Sequence, residues 1–149
     1  PIRPLATCTV WIALDRSDTE NGCLRVIPES HRRGEIFEHE ADDRDRLTLN
    51  YKVTSQHLDE SRAVDLELDP GEMSLHDIYM LHGSNPNTST RRRAGVALRY
   101  MPASSVFERS VIEPSDDAGF KVDFTRRPIW LLRGKDVTGR NDFSVGHDT

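Results

Sequence analysis

Apolar positions along this chain come in short runs separated by turn-forming residues, with no long stretch at the spacing of an amphipathic helix. LATCTVWIALD (Leu5 to Asp15) is apolar enough to predict a largely buried strand. Asn21-Gly22 is a tight-turn signal. Cys23 to Ile27 predicts a second strand, which Pro28 and ESHRRG end. FEHEADDRDR (Phe37 to Arg46) mixes charges with little apolar content and predicts a surface loop or a short solvated helix. LTLNYKV (Leu47 to Val53) alternates, as does AVDLELD (Ala63 to Asp69), where Val64, Leu66 and Leu68 share one face. Asp69-Pro70-Gly71 marks a turn. EMSLHDIYMLHGS then predicts a strand or strand pair, and RAGVALRYM (Arg93 to Met101) another. Strands at this spacing predict a mostly β fold, a sandwich or barrel. Residues 1–102 make up the predicted core. Residues 103–149 read as an irregular extension that packs a few aromatics onto the same domain.

Composition narrows the function classes. The chain has 149 residues, 30% of them charged, with a net charge of -5 and a pI near 5.7. An acidic chain of this kind does not select nucleic acid or an anionic membrane by charge, and the triplet Arg91-Arg92-Arg93 is too short to change that. No apolar run approaches the length of a membrane span, and no basic-then-apolar leader is visible. The expected setting is the cytoplasm, with Cys8 and Cys23 as free thiols. Asn87-Thr88-Ser89 fits a glycosylation acceptor but carries little weight without a secretory signal.

The candidate chemistry lies in LHGSNPNTSTRRRAG, Leu81 to Gly95. A hairpin centred between Asn87 and Thr88 would set His82 opposite Arg93, with His82 and Ser84 on one face. Gly95 and Ala97, small residues following Arg93 at alternate positions, would leave room for a ligand beside the guanidinium. Arginine grips a carboxylate with two parallel hydrogen bonds, and Ser84 could add a donor. A lone strand histidine is more often structural, so His82 gains its meaning from this company. Arg91 and Arg92 read as exposed loop charges. Arg99 shares the parity of Arg93 and is a candidate contact for an anionic substrate.

TVWIALDRSDTENGCLRVIPESH followed by GEMSLHDIYMLHGSNPNTSTRRRAGVALRYMP resembles the phytanoyl-CoA dioxygenase family of iron(II)- and 2-oxoglutarate-dependent oxygenases. The resemblance runs from Pro1 to Pro102. It implies a double-stranded β-helix, a cupin-like jelly roll, incomplete at its N-terminus. It also implies that His82 is the distal iron ligand, that Arg93 and Ser84 hold the far carboxylate of 2-oxoglutarate, and that Trp11 lines that pocket. Iron(II), 2-oxoglutarate, O2 and a small-molecule substrate are thus the implied cofactors and partners, with decarboxylation to succinate driving hydroxylation of a C–H bond. Glu29 departs from the family, which commonly has glycine before Ser-His.

The family's other iron ligands lie in a His-x-Asp/Glu pair shortly before the segment matching PIRPLATCTVW, so the sequence reads as an N-terminally truncated member, inactive by itself. His57-x-Asp59 matches by letter but falls in a polar segment after the second strand. His76 could join His82 at one metal only if the chain turns between them; a hydrogen-bonded wall residue is the alternative. His31 and His39 flank the charged stretch as surface or pocket-rim groups, His31 being a candidate substrate contact, and His147 reads as solvated tail. Two rival functions stay open. One is a non-catalytic jelly-roll module that keeps only the carboxylate pocket. The other is a cupin-type isomerase or sugar-binding domain, which would need a second histidine beside His82 and have no use for Arg93.

Overall fold

The computed structural model describes residues 1–44, 51–54, 56, 58–110 and 125–147. Ten strands are described among them: β1 Ile2–Arg3, β2 Cys8–Ala13, β3 Leu24–Val26, β4 His39–Ala41, β5 Tyr51–Val53, β6 Val64–Leu66, β7 Met73–Asp77, β8 His82–Ser84, β9 Gly95–Tyr100 and β10 Val106–Phe107. The only helices among the described residues are short 3₁₀ turns, and none is long and apolar enough to cross a membrane.

The chain divides into two compact units. One comprises residues 1–6, 39–52 and 101–149; the other comprises residues 7–38 and 53–100. In the first, β1 pairs antiparallel with β10. The expected surface loop at Phe37 to Arg46 instead contains β4, an exposed strand that pairs with β5. Such pairing satisfies the backbone even where a segment has no apolar face to bury. Residues 47–50 of the predicted Leu47 to Val53 strand lie outside the described residues. His147 is not a solvated tail residue. It is half-buried, its Nε2 meets the Ile129 carbonyl at 3.0 Å, and its ring packs edge-on against Trp130.

The second unit holds two three-stranded antiparallel sheets, ordered β7-β2-β9 and β6-β3-β8. Along the chain β2 lies in the first, β3 and β6 in the second, β7 in the first, β8 in the second and β9 in the first. Strands that alternate between two facing sheets give the connectivity of a jelly roll. Each run predicted from the sequence contains its strand, and EMSLHDIYMLHGS is a strand pair whose members sit in different sheets.

Register assigns the faces, because residues directly opposite in an antiparallel pair share a face. Trp11 lies between Ser74 and Ala97, and Thr9 between His76 and Arg99, with Ala13 opposite Gly95. One face of the first sheet therefore carries Ala13, Trp11, Thr9, Ser74, His76, Gly95, Ala97 and Arg99. The other carries Val10, Ile12, Met73, Leu75, Val96, Leu98 and Tyr100. In the second sheet Leu24 lies between Ser84 and Leu66, and Val26 between His82 and Val64. His82 and Ser84 thus share a face with four aliphatic side chains. Arg25 and Asp65 form an ion pair on the opposite face.

Glu29 precedes the 3₁₀ helix Ser30–Arg33 with φ 67°, in the left-handed region, without a side-chain capping bond. A Cβ there costs about 1–2 kcal/mol, which accounts for the glycine of the family pattern. Among the described residues its carboxylate pairs with Arg32, an exposed ion pair that contributes little. Glu29→Gly is expected to raise the urea midpoint by an equivalent of about 0.5–1 kcal/mol, the relief being partly offset by the freer unfolded chain. Glu29→Ala should give no such gain. Equal midpoints for the two variants would remove backbone strain as the explanation.

Candidate iron and 2-oxoglutarate site

His82 opens β8 with its imidazole exposed. Its Nδ1 lies 2.7 Å from the Met80 carbonyl oxygen. A carbonyl can only accept, so Nδ1 carries the proton and donates it, leaving the Nε2 lone pair free. Metal-binding histidines are commonly oriented in this way. The turn at residues 78–81 brings His76 back against it, with ring centroids 4.8 Å apart at 45°. The chain does turn between these two histidines, which an extended segment would have kept far apart. Burial first, then the charges of His82 and Arg99, hold His76 below the ordinary histidine range. Its Nδ1 is buried without a hydrogen-bond partner, so the wall residue expected to be hydrogen-bonded is not. Ser74 Oγ, next along the same face, is also buried and unpartnered.

Trp11 and Arg93 stand on the same face as His76. The Arg93 guanidinium carbon lies 5.7 Å from the centroid of the Trp11 ring, a cation–π distance. Among the described residues Arg93 meets no carboxylate. The room that Gly95 was expected to leave for a ligand is taken by Trp11, because a Cβ at Gly95 would collide with indole atoms Cζ2 and Cε2. Glycine here seats the tryptophan, and the tryptophan supports the arginine.

The hairpin expectation fails. β8 pairs with β3 and β9 with β2, so His82 and Arg93 do not face each other across paired strands. Residues 85–94 carry the chain from one sheet to the other instead. The His82 ring touches His76, whose face of the first sheet also bears Trp11, over which Arg93 lies.

The arginine triplet explains how that crossing is fixed. Arg91 reaches Asp18 and Glu20 at 2.9 Å, and Arg92 reaches Asp15 at 2.8 Å. Both are exposed, as expected, but they are ion-paired struts rather than loose loop charges. Asp15 also accepts from the Ala94 amide at 2.9 Å. Its carboxyl is held below its ordinary range first by the Arg92 hydrogen bond and then by that amide. Buried Asn21 donates to the Arg16 and Arg92 carbonyls, and Thr88 donates twice to the Glu20 carbonyl. With its two predecessors fastened to the β2–β3 turn, Arg93 is the member of the triplet that turns to Trp11.

The other candidates fall as follows. Ser84 shares the face of His82 and is exposed. Arg99 lies on the inner face at the level of His76, also exposed. His31 sits in the 3₁₀ helix with Nδ1 buried and unpartnered. Its neighbour Ser30 accepts from the Leu81 amide at 2.9 Å, anchoring that helix to the foot of β8. His39 lies on exposed β4 in the other unit. His57 lies outside the described residues, while Asp59 caps the turn Glu60–Arg62 through Ser61. A cleft of about 340 Å³ is lined by Ile27, Arg33, Phe37, Arg62 and Leu81 among others, but by neither His82 nor Arg93. The space at His82 is open.

For a carboxylate, the fit is an arginine without an anion among the described residues, seated on an indole. For iron, His82 is one suitably presented donor, but among the described residues no three His, Cys, Asp or Glu side chains converge.

Residues 1–95 match the family model described as Phytanoyl-CoA dioxygenase (PhyH). A Phytanoyl-CoA dioxygenase domain-containing protein 1 homolog of Dictyostelium discoideum is 32% identical over 100 residues, 66% of this chain and 36% of that protein. A methylphosphonate hydroxylase of Gimesia maris is 30% identical over 99 residues, 66% of this chain and 34% of that protein. The crystal structure of EvdO2 from Micromonospora carbonacea var. aurantiaca complexed with 2-oxoglutarate superposes with a TM-score of 0.55 at 29% identity. That match covers 63% of this chain and 37% of the other. The fold is thus shared with a protein crystallised with 2-oxoglutarate, and the chain spans about a third of the length of these relatives.

Proposed function

The chain belongs to the phytanoyl-CoA dioxygenase family, and from that premise we propose that it is part of an iron(II)- and 2-oxoglutarate-dependent oxygenase that hydroxylates a C–H bond of a small or lipid-like organic molecule. The observation that supports this reading is an imidazole oriented by a backbone carbonyl and packed against His76, on the sheet whose Trp11 carries an arginine without an anion.

The chain's own residues divide the work. His82 is one iron ligand, its tautomer set by the Met80 carbonyl. Arg93 and Ser84 take the far carboxylate of 2-oxoglutarate, and Trp11 holds the guanidinium in place while walling the co-substrate from water. His31, beside the foot of β8, is a candidate contact for the substrate. Iron(II), when bound, supplies the oxidative step in which decarboxylation of 2-oxoglutarate to succinate drives hydroxylation. In the whole protein the remaining ligands come from residues beyond those described.

The absence of three converging ligands among the described residues favours one alternative, a jelly-roll module that binds a carboxylate without metal. Nearness of His76 to His82 supplies the second histidine that a cupin-type isomerase or sugar-binding domain would need. Manganese(II) titration with 2-oxoglutarate present distinguishes the first of these. His82→Ala is expected to weaken metal binding by about tenfold or more, the cost of losing a direct ligand being at least that of losing its outer support. A chain that binds 2-oxoglutarate equally well with and without metal, and is indifferent to His82→Ala, is the module. Names of the relatives range from phytanoyl-CoA to methylphosphonate, so the substrate has to be read from this pocket's own residues.

A further inference from the structure

We propose that Arg99 is a specificity-determining residue that anchors an oxyanion group of the oxidised substrate, so that the substrate is an anionic molecule, held by a carboxylate or a phosphorus oxyanion. This rests on the oxygenase reading of the same site and adds to it the class of substrate. Three observations support it. First, Arg99, Thr9 and His76 lie opposite one another across β9, β2 and β7, and His76 touches His82. An anion at Arg99 therefore places the rest of a small molecule at the level of the metal ligand. Second, Arg99 has no hydrogen-bond or ion-pair partner among the described residues, whereas Arg91 and Arg92 are each satisfied by aspartate. A guanidinium facing the inter-sheet space with no anion is the complement of one that arrives with a ligand. Third, the two arginines stand apart: Arg93 lies over Trp11, which pairs with Ala97, whereas Arg99 pairs with Thr9 on another rung of the sheet. Each arginine defines its own anion position. Buried, unpartnered His76 Nδ1 gives the second position a further polar contact that Arg93 lacks.

The test uses the chain labelled with ¹⁵N-arginine. Its Nε–Hε signals are followed during titration with propionate, with ethylphosphonate, and separately with 2-oxoglutarate, Arg99 being assigned by its loss in Arg99→Gln. A saturable shift of the Arg99 signal with propionate or ethylphosphonate is expected, and the tighter of the two tells whether the natural group is carbon- or phosphorus-centred. Arg99→Gln should weaken that probe about tenfold or more, and Arg99→Lys should recover part of the affinity, keeping the charge but not the fork. Affinity for 2-oxoglutarate should stay within about twofold in both, and the thermal midpoint of Arg99→Gln should match the parent, since the side chain is exposed. An Arg99 signal that does not saturate with either probe, or probe binding that survives Arg99→Gln, overturns the proposal. Failure of 2-oxoglutarate to move the Arg93 signal would count against the oxygenase reading instead, so the two failures are told apart.

Discussion

Arg93→Met is expected to weaken 2-oxoglutarate binding about a hundredfold, with the fold unchanged. A guanidinium–carboxylate pair makes two parallel charge-assisted hydrogen bonds, each contributing about 1.5 kcal/mol or more, and about 1.4 kcal/mol is a factor of ten. Because Arg93 has no carboxylate partner among the described residues, its removal leaves no buried charge behind there, so the loss is confined to the ligand. Arg93→Lys keeps the charge but loses the fork and should fall between parent and Arg93→Met. Arg92→Met makes the same change of charge one residue earlier. Its guanidinium is exposed and paired with Asp15, so it should alter affinity by no more than about fivefold. Isothermal titration of 2-oxoglutarate into protein supplied with manganese(II) measures all four. Equal loss in Arg92→Met and Arg93→Met would mean that general positive charge draws the co-substrate, and a cupin-type function, indifferent to Arg93, would be the better account.

This contrast also shows where the sequence is sufficient and where it is not. Alternation and turn residues located the strands of the second unit, because one face of each is set by local pattern. Pairing is not local. Counting residues outward from Asn87 assumes that β8 and β9 are neighbours, and a loop of ten residues is long enough to cross to another sheet. The face assignments of His82, Ser84 and Arg99 were legible because parity survives the change of partner. The use of Gly95 was not: spacing shows only that the residue is small, and it took coordinates to show that Trp11 fills the space. Arg91 and Arg92 are alike in sequence to Arg93, and what separates them is three acids, Asp15, Asp18 and Glu20, over seventy residues away. Whether His76 meets His82 depended on a turn at residues 78–81. The apolar stretch IYML hid that, since it reads equally well as continuous strand. The face of the first sheet bearing Leu75 and Leu98 shows the limit of polarity as a guide: these leucines are 64% and 41% exposed while polar Thr9 and Ser74 face inward.

Gly22→Ala is expected to destabilise the second unit strongly. Gly22 has φ 77°, where any other residue costs about 1–2 kcal/mol. Its missing Cβ points at the backbone of the crossing loop, and an added one would lie inside contact distance of the Asn85 carbonyl oxygen. Backbone cannot swing aside as a long side chain can, and forced overpacking of this kind costs a further 1–3 kcal/mol, roughly. The two terms together predict a loss of about 3 kcal/mol. Gly71→Ala isolates the first term, since Gly71 has φ 92° with nothing within 4 Å of a built Cβ. The difference between the two urea midpoints is then the contact between the β2–β3 turn and residues 85–87. That contact belongs to the same set as Asn21 to Arg92, Thr88 to Glu20 and Arg91 to Asp18, which together hold the loop that delivers Arg93. Gly22→Ala should therefore lose 2-oxoglutarate affinity as well as stability, even at temperatures where it stays folded, whereas Gly71→Ala should lose stability alone. Equal destabilisation by the two substitutions would mean that the crossing loop is not fastened at Gly22, and the placement of Arg93 over Trp11 would need another cause.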